Sequence, residues 1–228
     1  IIVGAAIECI HSYSLIHDDL PCMDNDMLRR GKPSTHIKFG ESTAVLAGNS
    51  LLTMAYEILS NDSLKISDEV KINLIKKISE CSGHLGIAGG QYLDLSYEHK
   101  KVSKKKIIEM EIKKTGKLFS FCCTAPLIIK KRSDKEIKFF DNVGSELGLL
   151  FQIADDLIDH SGKSSTAGKK TKKDKKQGKA TLISLLGHKN SIKYSNNLIK
   201  RLKNKINKYG PKSNDLINTL NFILNRKR

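Results

Sequence analysis

Apolar residues recur at helical spacing along nearly the whole chain, which confines it to an all-α architecture. In "SDEVKINLIKKISEC", Val70, Leu74, Ile78 and Cys81 fall at i, i+4, i+8 and i+11, one stripe of a helix, with Ser67 placed to cap its start. "SDKEIKFFDNVGSELGLLFQIADDLID" opens with Ser133 and Glu136 at capping-box spacing and stays apolar on one side as far as Asp159. "TAVLAGNSLLTMAYEILS" and "NLIKRLKNKI" read the same way. Alternating strand patterns flanked by hairpin turns are absent, and no repeat of fixed period occurs. The one long polar loop is expected from Ser161 to Gly178. With 228 residues, the chain is read as a single all-α domain.

Against this background two acid clusters stand out. "LIHDDLPCMDND" carries Asp18, Asp19 and Asp24 just past an apolar helix. Pro21 cannot continue that helix, so the chain must turn and can bring Asp24 back toward Asp18. "FQIADDLID" puts Asp155, Asp156 and Asp159 at the end of the long helix, with Asp155 and Asp159 on one face. Solvated helix ends are the plain alternative, but acids at a helix C-terminus oppose its dipole. Both clusters also follow apolar runs, Ile10 to Ile16 and Leu149 to Ile153, where uncompensated carboxylates are costly. Hard divalent cations compensate them, and Mg2+ typically takes one or two carboxylates together with phosphate and water. Two such clusters backed by basic loops point to Mg2+ ions bridging a diphosphate.

The formal charge of +16 raises nucleic acid as a partner, yet it is mostly lysine on polar helix faces plus the run "GKKTKKDKKQGK". No aromatics interleave with that run and no nucleic-acid-binding signature appears, so a small phosphate-bearing ligand is preferred. No window offers the ~18 consecutive apolar residues of a membrane span. Five scattered cysteines without a CxxC pair suggest reduced thiols and a cytoplasmic location.

"DDLPCMD" resembles the first aspartate-rich motif of the short-chain trans-prenyl diphosphate synthases, and "FQIADDLID" resembles their second. The similarity extends in family order through "HSYSLIHDD", "LRRGKPSTH", "FGESTAVLAGNSLL", "GGQYLDL", "KKTGKL" and "KATLISLLG", covering nearly the whole chain. The resemblance implies an antiparallel helical bundle around a central cavity, with the two acid motifs facing across its mouth. It implies three Mg2+ ions on an allylic diphosphate, with Mn2+ able to substitute, and head-to-tail condensation with isopentenyl diphosphate. A homodimer is implied as well.

By position in the family motifs, Asp18, Asp24 and Asp155 become the expected direct metal ligands, and Asp19, Asp156 and Asp159 further ligands or water-orienting groups. Arg29 is expected to hold the allylic diphosphate and Arg30 the isopentenyl diphosphate. His11, seven residues before Asp18 and thus on the same helix face, matches a family histidine that serves isopentenyl diphosphate. Lys114, Thr115, Gln152, Lys169 and Lys179 match family positions contacting the allylic group; taken singly, each lysine would be read as solvated surface. His17, His36 and His84 are read as structural, with an outer role at the metal site as the alternative for His17. Ile7, Ile10, Leu15, Leu46, Leu149, Leu150 and Ile153 are read as core, some of them lining the cavity.

Tyr13, expected ~7–8 Å below the first aspartate, is taken as the cavity floor beside the smaller Ser14. This resembles the bacterial farnesyl synthases and favours a C15 product, with C20 as the rival. The sequence departs from the family at Met27 and in its basic segment after the second motif. It also starts without Met, inside a helix already under way, and lacks the upstream "GKRxR" element. The domain over 1–228 is therefore expected to lack the family's N-terminal helices. A terpene cyclase normally replaces the second acid motif, and a non-catalytic basic homologue normally loses one; both motifs stand here.

Overall fold

The computed structural model describes residues 1–161 and 178–225. The helices are α1 (Ile2–Asp18), α2 (Thr35–Phe39), α3 (Glu41–Ser60), α4 (Asp68–Ser82), α5 (Ile87–Ser96), α6 (Lys104–Glu111), α7 (Lys117–Ile129), α8 (Asp134–Ser161), α9 (Leu182–Leu186), α10 (His188–Ile206) and α11 (Asn214–Asn225). A π-helical turn, Ile112–Gly116, joins α6 to α7. Most of the expected polar loop, including Lys169, lies outside the described residues.

The expected stripe of α4 is buried, although the Ser67 side chain makes no capping hydrogen bond. The α8 start does close on Ser133, whose hydroxyl accepts from the Glu136 N–H at 3.4 Å and donates to its carboxylate at 3.2 Å. One minor element escaped the periodicity: Leu28–Arg29 pairs antiparallel with Lys32–Pro33. Arg30 and Gly31 both take positive φ in its two-residue turn, the twist a tight hairpin needs. With only two residues per strand, no alternation exists to be read.

Two apolar cores hold the bundle. One joins α1, α3, α4 and α7 through Ile10, Leu59, Leu74, Ile78 and Phe121. The other joins α6, α8, α10 and α11 through Ile107, Leu150, Ile153, Leu202 and Leu220. Phe121 is fully buried (0% exposed), so Phe121→Ala should lower stability by about 3–5 kcal/mol, readable as a fall in the urea midpoint. Leu46, expected in the core, is instead 64% exposed on α3. Ile37 and Phe39 of α2 and Val45 and Met54 of α3 are exposed as well. The apolar character of Leu46 reflects a face that the period alone assigns to no particular neighbour. Among the described residues, no helix is long and apolar enough to cross a membrane.

Candidate active site

A cavity of ≈ 530 Å³ is lined by α1, α5, α6, the π turn, α7 and α8. At one end α1 finishes at Asp18 and the chain folds back through Pro21, with the Asp24 N–H donating to the Asp18 carbonyl at 2.9 Å. That turn sets Asp18 and Asp24 on the same cavity wall. Asp155, Asp156 and Asp159 reach the cavity from the end of α8. The two acid motifs therefore meet across one opening.

The positive groups come from elsewhere in the chain. Lys114 sits in the π turn, where a local widening of the helix re-aims its side chains; such turns recur at functional sites. Its ammonium donates to Asp94 Oδ2 at 2.6 Å. Lys179 donates to Asp24 at 2.7 Å and to Asp94 at 2.8 Å. Thr115 donates to Gln152 at 2.9 Å, and Gln152 donates to Asp156 at 2.8 Å, so a three-member chain fixes the buried carboxylate of the second motif. Gly90 on α5 makes the approach to the π turn possible, because a Cβ there would overlap the Lys114 backbone. Gly90→Ala should misplace Lys114 and cost about 10²-fold in turnover, with a lower melting temperature as the accompanying sign.

The charges are strongly coupled. Burial pushes the Asp18 carboxyl up to about 6; Lys114 opposes that rise and Asp24 reinforces it. Burial disfavours the Lys114 ammonium, but Asp94, Asp18 and Asp24 outweigh it and hold the pKa above the usual lysine value. Asp94 lies below the usual carboxylate range: burial works against it, but Lys114 and Lys179 prevail. Glu111, only 1% exposed, is driven well above the carboxylate range by burial and by neighbouring Asp156.

His11, Ser14, Asp18, Asp24, Arg29, Lys114, Thr115, Gln152, Asp155, Asp156, Asp159 and Lys179 all line the cavity. Three expected residues do not line it. Asp19, 2% exposed, does not face the cavity; it grips Arg29 through two guanidinium nitrogens and so acts on the site through that arginine. Arg30 is exposed in the hairpin turn. Tyr13 stands behind the wall, its hydroxyl donating to the Ser82 carbonyl at 3.2 Å. The reason is angular: at 100° per residue, a position five before Asp18 is turned well off its face, while Ser14, four before, lies beneath it. His17 bonds the Val45 carbonyl at 3.1 Å, a structural contact. Ile7 and Leu15 line the cavity, whereas Ile10, Leu149, Leu150 and Ile153 belong to the cores.

Sequence reasoning passed over Asp94 and Glu111. Asp94 carried a usable signal, a lone acid between Leu93 and Leu95 in an otherwise uncharged helix. Glu111 carried none, lying in a run of charged residues where burial is not legible.

The donor set fits Mg2+. It is all carboxylate oxygen, and acids outnumber basic groups among the described lining residues. Among the described residues no three acids gather closely enough to hold an ion alone. That arrangement suits a cation that completes its shell with substrate phosphate and water.

Aspartate-rich helix ends facing one another over a cavity inside a helical bundle are the architecture of isoprenoid synthases. The described fold matches a geranyltransferase from Helicobacter pylori, solved with magnesium and isoprenyl diphosphate, at TM-score 0.87 and 36% identity, covering 98% of this chain and 73% of that one. In sequence the chain is 38% identical to a farnesyl diphosphate synthase of Micrococcus luteus, over 99% of this chain and 77% of that protein. It is 42% identical to a farnesyl diphosphate synthase of Bacillus subtilis, over 81% of this chain and 62% of that protein, so it spans under two thirds of that relative. Geranylgeranyl diphosphate synthases are also among its relatives. The polyprenyl synthetase family profile matches residues 1–220, and the chain belongs to that family.

Proposed function

We propose that this chain carries the catalytic cavity of a prenyltransferase that condenses dimethylallyl and geranyl diphosphates with isopentenyl diphosphate, giving farnesyl diphosphate. The observation that carries this reading is the meeting of both acid motifs with Lys114 and Lys179 at one end of a cavity whose remaining walls are largely apolar.

In this reading Asp18, Asp24 and Asp155 hold the metal, with Asp156 and Asp159 supporting them and three Mg2+ ions serving the site. Mn2+ is able to substitute. Bound Mg2+ would supply electrostatic stabilisation of the charge that develops on a leaving pyrophosphate. The chain's own cations do the complementary work: Lys114, Lys179 and Arg29 present fixed positive charge to the diphosphate oxygens, with no reorganisation needed as the C–O bond breaks. Thr115 and Gln152 keep Asp156 in place. The allylic carbon then bonds to the double bond of isopentenyl diphosphate and a proton is lost. Leu15, Leu118, Phe119 and Phe151 offer the growing tail apolar surface, the main attraction available to a hydrocarbon. His11 and Arg30 are assigned to isopentenyl diphosphate, and Lys169 to the allylic diphosphate, by family position alone. The exposed apolar residues Ile37 and Phe39 of α2 and Leu46 and Met54 of α3 support a homodimer, and the five free cysteines support a cytoplasmic setting.

The test incubates the natural full-length protein with Mg2+, isopentenyl diphosphate and, separately, dimethylallyl, geranyl or farnesyl diphosphate. Mass spectrometry then reads product length. Chains ending at C15, with farnesyl diphosphate left unextended, are expected. Accumulation of C20 would make it a geranylgeranyl synthase, which the similar geranylgeranyl relatives keep as the second reading. No condensation from any primer would overturn the function.

A further inference from the structure

Lys179 is a heavily engaged cation of the cavity. It is buried, and carboxylates from three places converge on its ammonium: Asp24 at 2.7 Å, Asp94 at 2.8 Å and Glu98 at 3.6 Å. Its backbone is held on both sides. The Gly178 carbonyl accepts from the His99 N–H at 2.9 Å, and Thr181 closes a capping box at the start of α9. Gly178 has φ of 66° and packs so closely on the His99 ring that a Cβ would overlap it, so the approach is built for a bare backbone. Asp94, from α5, holds Lys114 by the same oxygen that holds Lys179. One carboxylate thus tethers two ammoniums beside the first aspartate motif.

This arrangement sets up a competition. Asp24 Oδ1 accepts the Lys179 ammonium, and Asp24 is also a carboxylate that the proposed function gives to a divalent cation. One oxygen cannot offer its full charge to both. We infer that Lys179 is the resting counterion of Asp24, that a divalent cation takes its place there, and that Asp94 keeps the displaced ammonium at the site, where its charge passes to the incoming diphosphate. The inference rests on the metal–diphosphate reading above. It adds an ion exchange within the site, with Asp94 as a positioning residue that need not touch substrate.

The exchange predicts opposite effects on two ligands. Removing the Lys179 charge takes one competing cation away from Asp24 and deprives diphosphate of a partner. The experiment titrates Mn2+ into the full-length protein, following unbound Mn2+ by electron paramagnetic resonance, with and without inorganic pyrophosphate. Lys179→Met should bind Mn2+ alone roughly tenfold more tightly than wild type, the scale of one close charge pair. It should also lose the tightening that pyrophosphate gives wild type. Lys179→Arg, which keeps the charge, should behave as wild type. Asp94→Asn should weaken pyrophosphate binding in the presence of Mn2+ while its far-ultraviolet circular dichroism stays unchanged. Should Lys179→Met not fold, amine labelling of wild type gives the same answer: Mg2+ alone should raise labelling of Lys179 severalfold, and added pyrophosphate should reverse it. Mn2+ binding by Lys179→Met no tighter than wild type, or labelling indifferent to Mg2+, would overturn the exchange and leave the proposed function standing. Wild type that binds no Mn2+ even with pyrophosphate would overturn both.

Discussion

Asp18→Ala and Asp155→Ala should each lower turnover by roughly two to three orders of magnitude, the scale seen when one preorganised stabiliser of developing charge is removed. The two residues come from opposite sides of the cavity, Asp18 closing α1 and Asp155 near the end of α8. Neither belongs to an apolar core, so the helical signal in circular dichroism should survive in both variants. Burial pushes the Asp18 carboxyl up to about 6, so its charge is held in the resting fold against a desolvation cost. Loss of turnover with an intact fold is thus the expected pair of results. Near-normal turnover in either variant would defeat the assignment of that aspartate to the metal.

The second large effect concerns product length. Ser14 lines the cavity one helical turn below Asp18, with its hydroxyl donating to the His11 carbonyl at 2.9 Å. A phenylalanine there would fill the path of the tail, because the wall also carries Leu118, Phe119 and Phe151, the last two already packed ring to ring at 5.2 Å. Ser14→Phe should therefore stop elongation at C10. Tyr13→Phe should leave product length unchanged, since Tyr13 lies behind the wall, and should cost about 1 kcal/mol through the lost hydrogen bond to Ser82. A C15 product from Ser14→Phe, or an altered length from Tyr13→Phe, would restore the floor to Tyr13.

The contrast between these neighbours shows where reading a sequence succeeds and where it stops. Spacing along a helix correctly put His11 and Asp18 on one wall, because seven residues make almost two full turns. Depth along the axis alone points to Tyr13, whereas the angle around the helix puts Ser14 on the cavity wall and Tyr13 in the core. Similarly, Asp19 and Asp18 are adjacent in sequence yet serve differently: the helix rotation that sends Asp18 into the cavity turns Asp19 onto Arg29.

The sequence by itself determined the helical class, the two acid motifs at helix ends and the turn at Pro21, since each depends on period, on local backbone chemistry or on a short motif. Only the tertiary structure decided which charges meet. Lys179 finds Asp24 across 155 positions of chain and Asp94 across 85, and Lys114 reaches the same Asp94 because glycine at position 90 lets two helices touch. Local propensity acts over a few residues, whereas pairing of buried charges is settled by packing between distant helices. The wiring of this site therefore appears only once the bundle has closed.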